Sequence, residues 1–166
     1  EKLSFVSMDY AGDLAKSAQT YSKSRGTEDG EKQFEKDFEL PDGQVFTIGS
    51  ERFKCTEVLF DTTIIGMEGD NNIADLVMNT FHSCALDVKG AFYNSVILSG
   101  GNTQLEGLRD RLEYEINYSS KSFKKFQVKA PAARKYTGIY VPIVFLHASN
   151  STINIFNVAF FFFFVQ

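Results

Sequence analysis

The chain has 166 residues, of which 43% are hydrophobic and 23% charged, and its formal net charge is -4. This length and composition are typical of one globular domain or of part of a larger one. The acidic balance excludes a general electrostatic attraction to nucleic acid or to an anionic membrane, so we expect neither as a partner. Cys55 and Cys84 lack CxxC spacing, which argues against a disulfide scaffold and against a zinc site.

The N-terminal segment contains one predicted strand and one predicted loop. Apolar and polar side chains alternate over residues 3–9, which predicts a half-buried strand. Residues 12–37 contain almost no aliphatic side chains, so we predict a solvated, mobile loop with room for one turn of helix over residues 14–20.

A β-hairpin and a short helix are predicted next. The turn signal Pro41-Asp42-Gly43 is flanked by alternating side chains, which is the pattern of a hairpin. Ser50 can cap a helix that begins at Glu51. Residues 60–70 then form a predicted loop whose apolar tip is Ile64-Ile65.

The second half alternates predicted helices and strands. Residues 73–84 predict a helix whose core face carries the apolar side chains of Ile73, Leu76, Val77, Phe81 and Cys84. Asp87 is expected to cap a short helix that leads into a buried strand over residues 96–99. A helix over residues 105–117 and a strand over residues 126–130 complete an α/β pattern.

A glycine pair separates the buried strand from the following helix. Gly100 and Gly101 allow positive φ angles and let another group approach the backbone. In open α/β sheets, ligands bind at the carboxyl ends of strands, often where the next helix begins. The turn could therefore cradle a ligand, and the alternative is a tight strand-to-helix connection.

Other candidate sites are weaker. His82 and His147 have no ligand-spaced partners, so we predict structural roles and no metal site. No carboxylate pair and no nucleophilic triad indicates catalysis. A cluster of basic residues lies near the C-terminal end of the α/β segment, with Phe123 and Phe126 between them, and could suggest a nucleic-acid patch. Because the chain is acidic, we expect instead a solvated strand edge guarded by lysines. The members of the basic cluster are Lys121, Lys124, Lys125, Lys129, Arg134 and Lys135.

Taken together, several motifs resemble those of actins. They are E-K-L-S-F-V-S-M-D at the start, E-L-P-D-G-Q-V-F-T-I-G-S-E-R-F-K-C, G-M-E, F-Y-N-S-V-I-L-S-G-G-N-T, L-x-D-R-L and A-P-A-A-R-K-Y. Their order and spacing match the second half of an actin, over residues 1–10 and 38–137. The segment between Asp13 and Asp37 is longer than in ordinary actins by about ten residues, which suggests a divergent member.

The resemblance implies a fold, its subdivision and a cellular role. The expected fold class is α/β, an incomplete part of the two-lobed, ribonuclease-H-like ATPase fold that actins share with sugar kinases and heat-shock chaperones. Residues 1–67 would correspond to actin subdomain 4, residues 68–137 to subdomain 3, and residues 138–166 to a divergent apolar tail. The implied function is that of an ATP-binding, filament-forming cytoskeletal protein in the cytoplasm, which self-assembles and contacts actin-binding proteins.

The resemblance also assigns site residues. In actins the Gly-Gly turn closes over the adenosine of ATP or ADP, which is bound with Mg or Ca. By resemblance the nucleotide-binding residues are Glu1, Gly100, Gly101, Asn102, Gln104, Leu105 and Lys135. Gln104 and Leu105 stand where actins usually have Met and Tyr, so the adenine contacts are altered. Ile64 and Ile65 match an apolar plug that reaches the opposite strand of the filament.

Two further expectations follow from the family pattern. The phosphate hairpins, the metal-positioning carboxylates and the residues that orient attacking water would lie upstream of Glu1, so we expect no ATP turnover from this chain alone. The alternative to a filament protein is a non-polymerising actin-related subunit of a chromatin-remodelling or motor-adaptor complex. A phosphotransferase of the same fold is disfavoured by the L-P-D-G-Q and R-K-Y motifs.

The C-terminal segment departs from the actin pattern. Residues 136–166 contain no Asp, Glu, Lys or Arg, and five consecutive phenylalanines run from Phe160 to Phe164. Pro142 and the polar stretch 147–154 divide the apolar residues into pieces shorter than the ~20 residues of a membrane-spanning helix, so we expect no anchor. Such uncharged aromatic β-formers favour aggregation.

Overall fold

A computed structural model describes residues 3–23, 34–67, 72–94 and 96–136. Five α-helices and four strands lie in these ranges, with short 3-10 helices at Thr62–Ile65 and Gly101–Gln104. In chain order the elements are α1 (Tyr10–Lys23), β1 (Lys36–Glu39), β2 (Val45–Ile48), α2 (Glu51–Glu57), α3 (Ile73–Ser83), α4 (Leu86–Phe92), β3 (Val96–Ile97), α5 (Leu108–Ser120) and β4 (Val128–Lys129). This mixture fits the predicted α/β class. No helix in the described ranges is long and apolar enough to cross a bilayer.

The core is built around a β3–α5–β4 crossover. β3 and β4 are parallel, with Val96 opposite Val128, and α5 connects them. The apolar face of α5 packs against α3 and the sheet, and it buries Leu112 and Ile116 completely. Phe126 is also fully buried, and its ring meets that of Phe81 edge-on at a centroid distance of 5.1 Å. The crossover therefore fixes the end of β3, where the predicted ligand turn begins.

A polar stripe on α5 seals the outer edge of the strand segment 126–128. The side chains of Arg109, Glu113 and Asn117 lie four residues apart on one helix face. Arg109 Nε donates to the carbonyl of Val128 at 3.0 Å, and Glu113 accepts from the Val128 amide at 3.0 Å. Asn117 accepts from the Phe126 amide at 2.8 Å and donates to its carbonyl at 3.1 Å. These side chains take the place of a neighbouring strand at this edge.

The predicted hairpin is confirmed, and so is the helix after it. β1 and β2 pair antiparallel, with Phe38 opposite Phe46, around the turn at Pro41-Asp42-Gly43. Ser50 precedes α2 as expected, but its side chain makes no capping hydrogen bond. The Glu51 carboxylate instead accepts from the Gly49 amide at 3.1 Å. The prediction of Ser50 as the capping side chain was wrong because Ser50 adopts helical angles (φ -63°, ψ -18°) instead of the extended conformation that is typical of an N-cap.

Two N-terminal predictions were wrong. Residues 3–9 form no strand beyond a single bridge between Phe5 and Glu106, in which the Val6 amide donates to the Glu106 carbonyl at 2.8 Å. On its other side the Phe5 amide donates to the Arg52 carbonyl, which belongs to helix α2 and therefore continues no sheet. The segment predicted as a mobile loop contains the 14-residue helix α1. Asp9 accepts from the Gly12 amide at 3.1 Å and supplies the N-terminal cap. Leu, Ala, Lys and Gln in this segment favour a helix even without an aliphatic face. Residues 24–33 of the predicted loop lie outside the described residues.

The central helices follow the prediction with local corrections. α3 buries Ala74 and Met78 in the core, whereas Leu76 is 44% exposed. Asp87 lies inside the first turn of α4, and Ala85 occupies the capping position. α5 begins at Leu108, three residues later than predicted, because a 3-10 helix and the left-handed Gly107 (φ 81°) come first. A Cβ on Gly107 would lie 2.6 Å from the Val6 carbonyl oxygen, so this position requires glycine.

The predicted basic strand edge was also wrong. Lys129 alone of the six cations lies in a strand, and the edge of segment 126–128 is sealed by α5. Phe126 is buried rather than interleaved with surface cations. Lys121, Lys124 and Lys125 lie instead in the loop that follows α5. The cluster divides because β4 separates this loop from the turn that carries Arg134 and Lys135.

Candidate functional site

The carboxyl end of β3 leads into a glycine turn with an unusual backbone. The Leu98 amide donates to the Lys129 carbonyl at 2.8 Å, which keeps the chain beside β4 up to this point. Gly100 then adopts φ 102° and ψ 162°. An L side chain rarely adopts such an angle, so the reversal of the chain here depends on glycine.

A buried threonine closes the turn. Thr103 donates from its amide to the Gly100 carbonyl at 3.1 Å and from its hydroxyl to the same oxygen at 2.7 Å. Its side chain is buried, while Gly101 and Asn102 remain exposed. The turn therefore exposes the Gly101 backbone and the Asn102 side chain to solvent, while the hydrogen bonds of Thr103 hold the backbone in place.

An arginine ties the following turn to the glycine turn. The Gly100 amide donates to the Arg134 carbonyl at 2.8 Å, and Arg134 Nε donates to the Thr103 carbonyl at 2.9 Å. These bonds hold residues 131–136 beside residues 100–103. Lys135 is exposed on that second turn, with its ammonium nitrogen 5.8 Å from the centroid of the Tyr136 ring.

The structure brings most of the predicted nucleotide residues together. Gly100, Gly101, Asn102, Gln104 and Leu105 belong to one turn, and the Arg134 bonds place Lys135 on the adjacent one. Leu105 is half-buried and packs against the core, so only part of its side chain faces outward. Glu1 lies outside the described residues.

Sequence reasoning missed the residues that build this turn. Thr103 and Arg134 hold its geometry, and the signal available for them was their place in the G-G-N-T and R-K-Y motifs. The Ser99 hydroxyl was also missed. It is buried at the end of β3 and has no hydrogen-bond partner within the described residues. A buried hydroxyl without a partner costs free energy.

An open groove of about 810 Å³ adjoins the glycine turn. It shares Leu105 and Arg134 with the turn and continues between α5 and β4 past Glu113 and Val128. Gly100, Gly101 and Asn102 do not line it. The predicted nucleotide residues thus form an exposed rim rather than a closed cavity.

The chemistry of the rim suits a nucleoside better than a polyphosphate or a metal ion. Backbone groups, the Asn102 and Gln104 amides and the Lys135 stem can meet a ring and hydroxyls. The Arg134 guanidinium is already hydrogen-bonded to the Thr103 carbonyl. Among the described residues, no group of three or more His, Cys, Asp or Glu side chains could hold a metal ion.

The apolar tip forms a second candidate surface away from the glycine turn. Ile64 and Ile65 close the 3-10 helix that Asp61 caps, and their side chains are 47% and 57% exposed. Met67 beside them is also exposed. The described part of the chain does not bury this tip in its own core.

Comparisons with known proteins agree on one family. The family model described as Actin matches residues 1–140. Among curated proteins, actin-29 of Dictyostelium discoideum is 39% identical over 125 residues, which cover 75% of this chain and 30% of that relative. The chain thus spans less than a third of the length of this relative.

Proposed function

Because this chain belongs to the actin family, we propose that it supplies the adenosine-side turn and an assembly contact of an ATP-binding, filament-forming cytoskeletal actin or actin-like protein. The cytoplasm is the proposed location. The nucleotide would be ATP or ADP, with Mg or Ca held by groups other than the described residues. Self-association and actin-binding proteins are the proposed interactions.

The observation that carries this proposal is the double turn at the end of β3. Gly100 reverses the chain at φ 102°, and Arg134 fixes the neighbouring turn to it through two hydrogen bonds. Gly101 on the first turn and Lys135 on the second are both exposed. This arrangement supports the contact between glycine backbone and adenosine that the family resemblance implies.

The same geometry limits what the chain does alone. The rim offers Lys135 as its one outward-facing cation among the described residues, which is too little charge to neutralise a triphosphate. We therefore expect no ATP hydrolysis by the chain by itself. A phosphate-release assay on the purified chain would detect turnover, and turnover that Lys135→Ala abolishes would contradict this expectation.

Photoaffinity labelling tests the proposed site directly. We expect a photoreactive adenosine analogue to label peptides that contain residues 100–105 or Lys135, with labelling competed by free adenosine. Lys135→Ala should reduce the labelling, and Lys129→Ala, which removes the same charge from β4, should leave it unchanged. Labelling confined to the groove between α5 and β4 would place the nucleotide elsewhere.

The exposed isoleucines favour the filament protein over its alternative. A non-polymerising actin-related subunit of a chromatin-remodelling or motor-adaptor complex has no need of a plug that reaches another filament strand. Ile64 and Ile65 expose about half of their side-chain surface. A polymerisation assay on the full-length protein separates these two functions.

A further inference from the structure

The charge of the chain is divided along the sequence. All 21 acidic residues lie at or before Glu115, whereas six of the 17 basic residues follow it. Residues 117–127 contain three lysines, no acidic residue and exposed aromatic rings. The net charge of -4 therefore conceals a locally cationic segment at the end of α5.

The loop after α5 carries a fully exposed aromatic side chain. Lys121 follows α5 in a left-handed conformation (φ 46°) and begins this loop. Phe123 is 110% exposed relative to an extended reference and makes no ring contact with another described aromatic residue. Burying a phenylalanine stabilises by about 1.5–3 kcal/mol, so a ring left in water favours any apolar environment that it can reach.

Lysines lie beside Phe123 in the same loop, and two tyrosines lie on the preceding helix α5. The side chains of Lys121 and Lys125 are exposed, whereas the Lys124 ammonium turns back and lies 4.8 Å from the centroid of the Tyr93 ring. On the last turns of α5, Tyr114 and Tyr118 are 55% and 72% exposed, and their rings stack at an interplanar angle of 15°. We call Tyr114, Tyr118, Lys121, Phe123 and Lys125 the basic–aromatic corner.

We propose that the basic–aromatic corner docks on an anionic lipid surface, with Phe123 inserted at the level of the headgroups. Lysines near such a surface are attracted by its negative potential, and amphipathic aromatic rings favour the interface. The Phe123 side chain is fully exposed, so it can insert into a lipid interface without any rearrangement of the loop. The complementary charge is supplied by the lipids and needs no matching pocket.

This inference differs from the absence of a membrane partner expected from overall composition. That expectation rests on net charge and on the lack of a spanning segment, and neither quantity describes one corner of the surface. Asp110 and Glu113 line one pocket with Tyr114 and Lys125, but each lies within ion-pair distance of Arg109. Because the Debye length is about 8 Å at physiological ionic strength, exposed acidic residues farther away on the chain are largely screened from the corner. Local charge therefore decides the interaction.

Vesicle flotation of the full 166-residue chain tests the proposal, because aggregated protein sinks while vesicle-bound protein rises. The probes are phosphatidylcholine vesicles with and without about 30% phosphatidylserine. We expect flotation with the anionic vesicles alone, and we expect it to weaken as salt is added. Phe123→Ala and Lys125→Glu should each weaken binding by roughly tenfold.

Two matched variants control for general effects of charge and hydrophobicity. Leu86→Ala removes an exposed apolar side chain elsewhere, and Lys54→Glu reverses an exposed charge on α2; both should float like the unmodified chain. Equal flotation with neutral vesicles would assign binding to the apolar tail and overturn the proposal. Binding of a single-stranded oligonucleotide with the same dependence on Phe123 and Lys125, without flotation, would assign the corner to nucleic acid instead.

Discussion

At the scale of single residues, Arg111 joins the N-terminal segment to two helices. Its guanidinium donates to the Ser7 carbonyl at 2.6 Å, to Glu57 Oε1 at 3.0 Å and to Glu115 Oε1 at 2.7 Å. The side chains of Arg111 and Glu57 are only 11% and 4% exposed. A buried pair of this kind contributes modestly as a whole, but the loss of one partner leaves an unpaired charge and costs roughly 3–5 kcal/mol.

The pH dependence of stability tests this network through Glu57. Burial raises the pKa of Glu57 above its ordinary value of 4.5, although Arg111 lowers it, and the charges of Asp61 and Glu115 raise it further. A carboxyl with a raised folded pKa stabilises the fold most when protonated, so this contribution grows as the pH falls toward 4.5. We therefore expect the free energy of unfolding of the unmodified chain to rise, relative to that of Glu57→Gln, as the pH is lowered from about 7 to about 5. Urea unfolding followed by circular dichroism measures this difference, and a constant or opposite difference would reject the network as described.

At the scale of elements, α5 shows what a sequence pattern predicts and what it leaves open. The apolar positions 108, 112 and 116 predict one buried face, and Leu108, Leu112 and Ile116 lie there. The polar residues at 109, 113 and 117 have the spacing of a solvated face, yet they bind a strand edge. Helical periodicity shows which side chains share a face, but a tertiary contact decides what polar side chains bind.

The glycine turn and α1 illustrate the same limit. The Gly-Gly pair predicted a reversal of the chain at residue 100, because few other residues adopt its φ angle. The hydrogen bond from Arg134 to the Thr103 carbonyl joins residues 31 positions apart, so no local sequence pattern predicts it. In α1, the lack of aliphatic side chains suggested a loop, whereas the Asp9 cap and favourable helix propensities prevailed.

The polar stripe gives a stability prediction. Asn117→Leu removes both hydrogen bonds to Phe126 and leaves its backbone amide and carbonyl without partners, so we expect a loss of about 2 kcal/mol in the free energy of unfolding. Ser119→Leu introduces the same side chain at an exposed position of α5 and should change that free energy by less than about 0.5 kcal/mol. Urea denaturation of both variants gives the comparison, and equal losses would show that the stripe does not seal the edge.

The 3-10 helix gives a prediction about assembly. Ile64→Asp places a charge on the apolar tip without touching the core, because the Ile64 side chain is 47% exposed. In a full-length protein the variant should raise the critical concentration for polymerisation while the melting temperature stays the same. Light scattering and thermal unfolding measure the two quantities, and unchanged polymerisation would rule out Ile64 as an assembly contact.

At the scale of the whole molecule, helix α5 covers one edge of the parallel sheet, and the acidic residues are unevenly distributed along the sequence. The described sheet has one edge that α5 seals, at residues 126–128, and acidic residues are confined to the first 115 positions. The glycine turn and the basic–aromatic corner both belong to the β3–α5–β4 unit, one at each end of α5. A single crossover thus positions both proposed surfaces.

The C-terminal segment should control the solubility of the chain. Residues 138–166 are uncharged and rich in phenylalanine, so intermolecular association is favoured. We expect truncation after Thr137 to increase the soluble fraction in a pelleting assay at equal concentration. Equal partition of the two chains between supernatant and pellet would show that the segment does not drive association.

The central claim is that the chain holds the adenosine side of a nucleotide site. Equilibrium binding of adenosine and of ATP to the purified chain tests it most directly. We expect weak affinities that differ by less than about tenfold, roughly 1.4 kcal/mol, since the described rim offers little to bind phosphates. Lys135→Ala should weaken both ligands equally, and Lys129→Ala should weaken neither. A preference for ATP of more than about tenfold, or binding that is indifferent to Lys135, would contradict the claim.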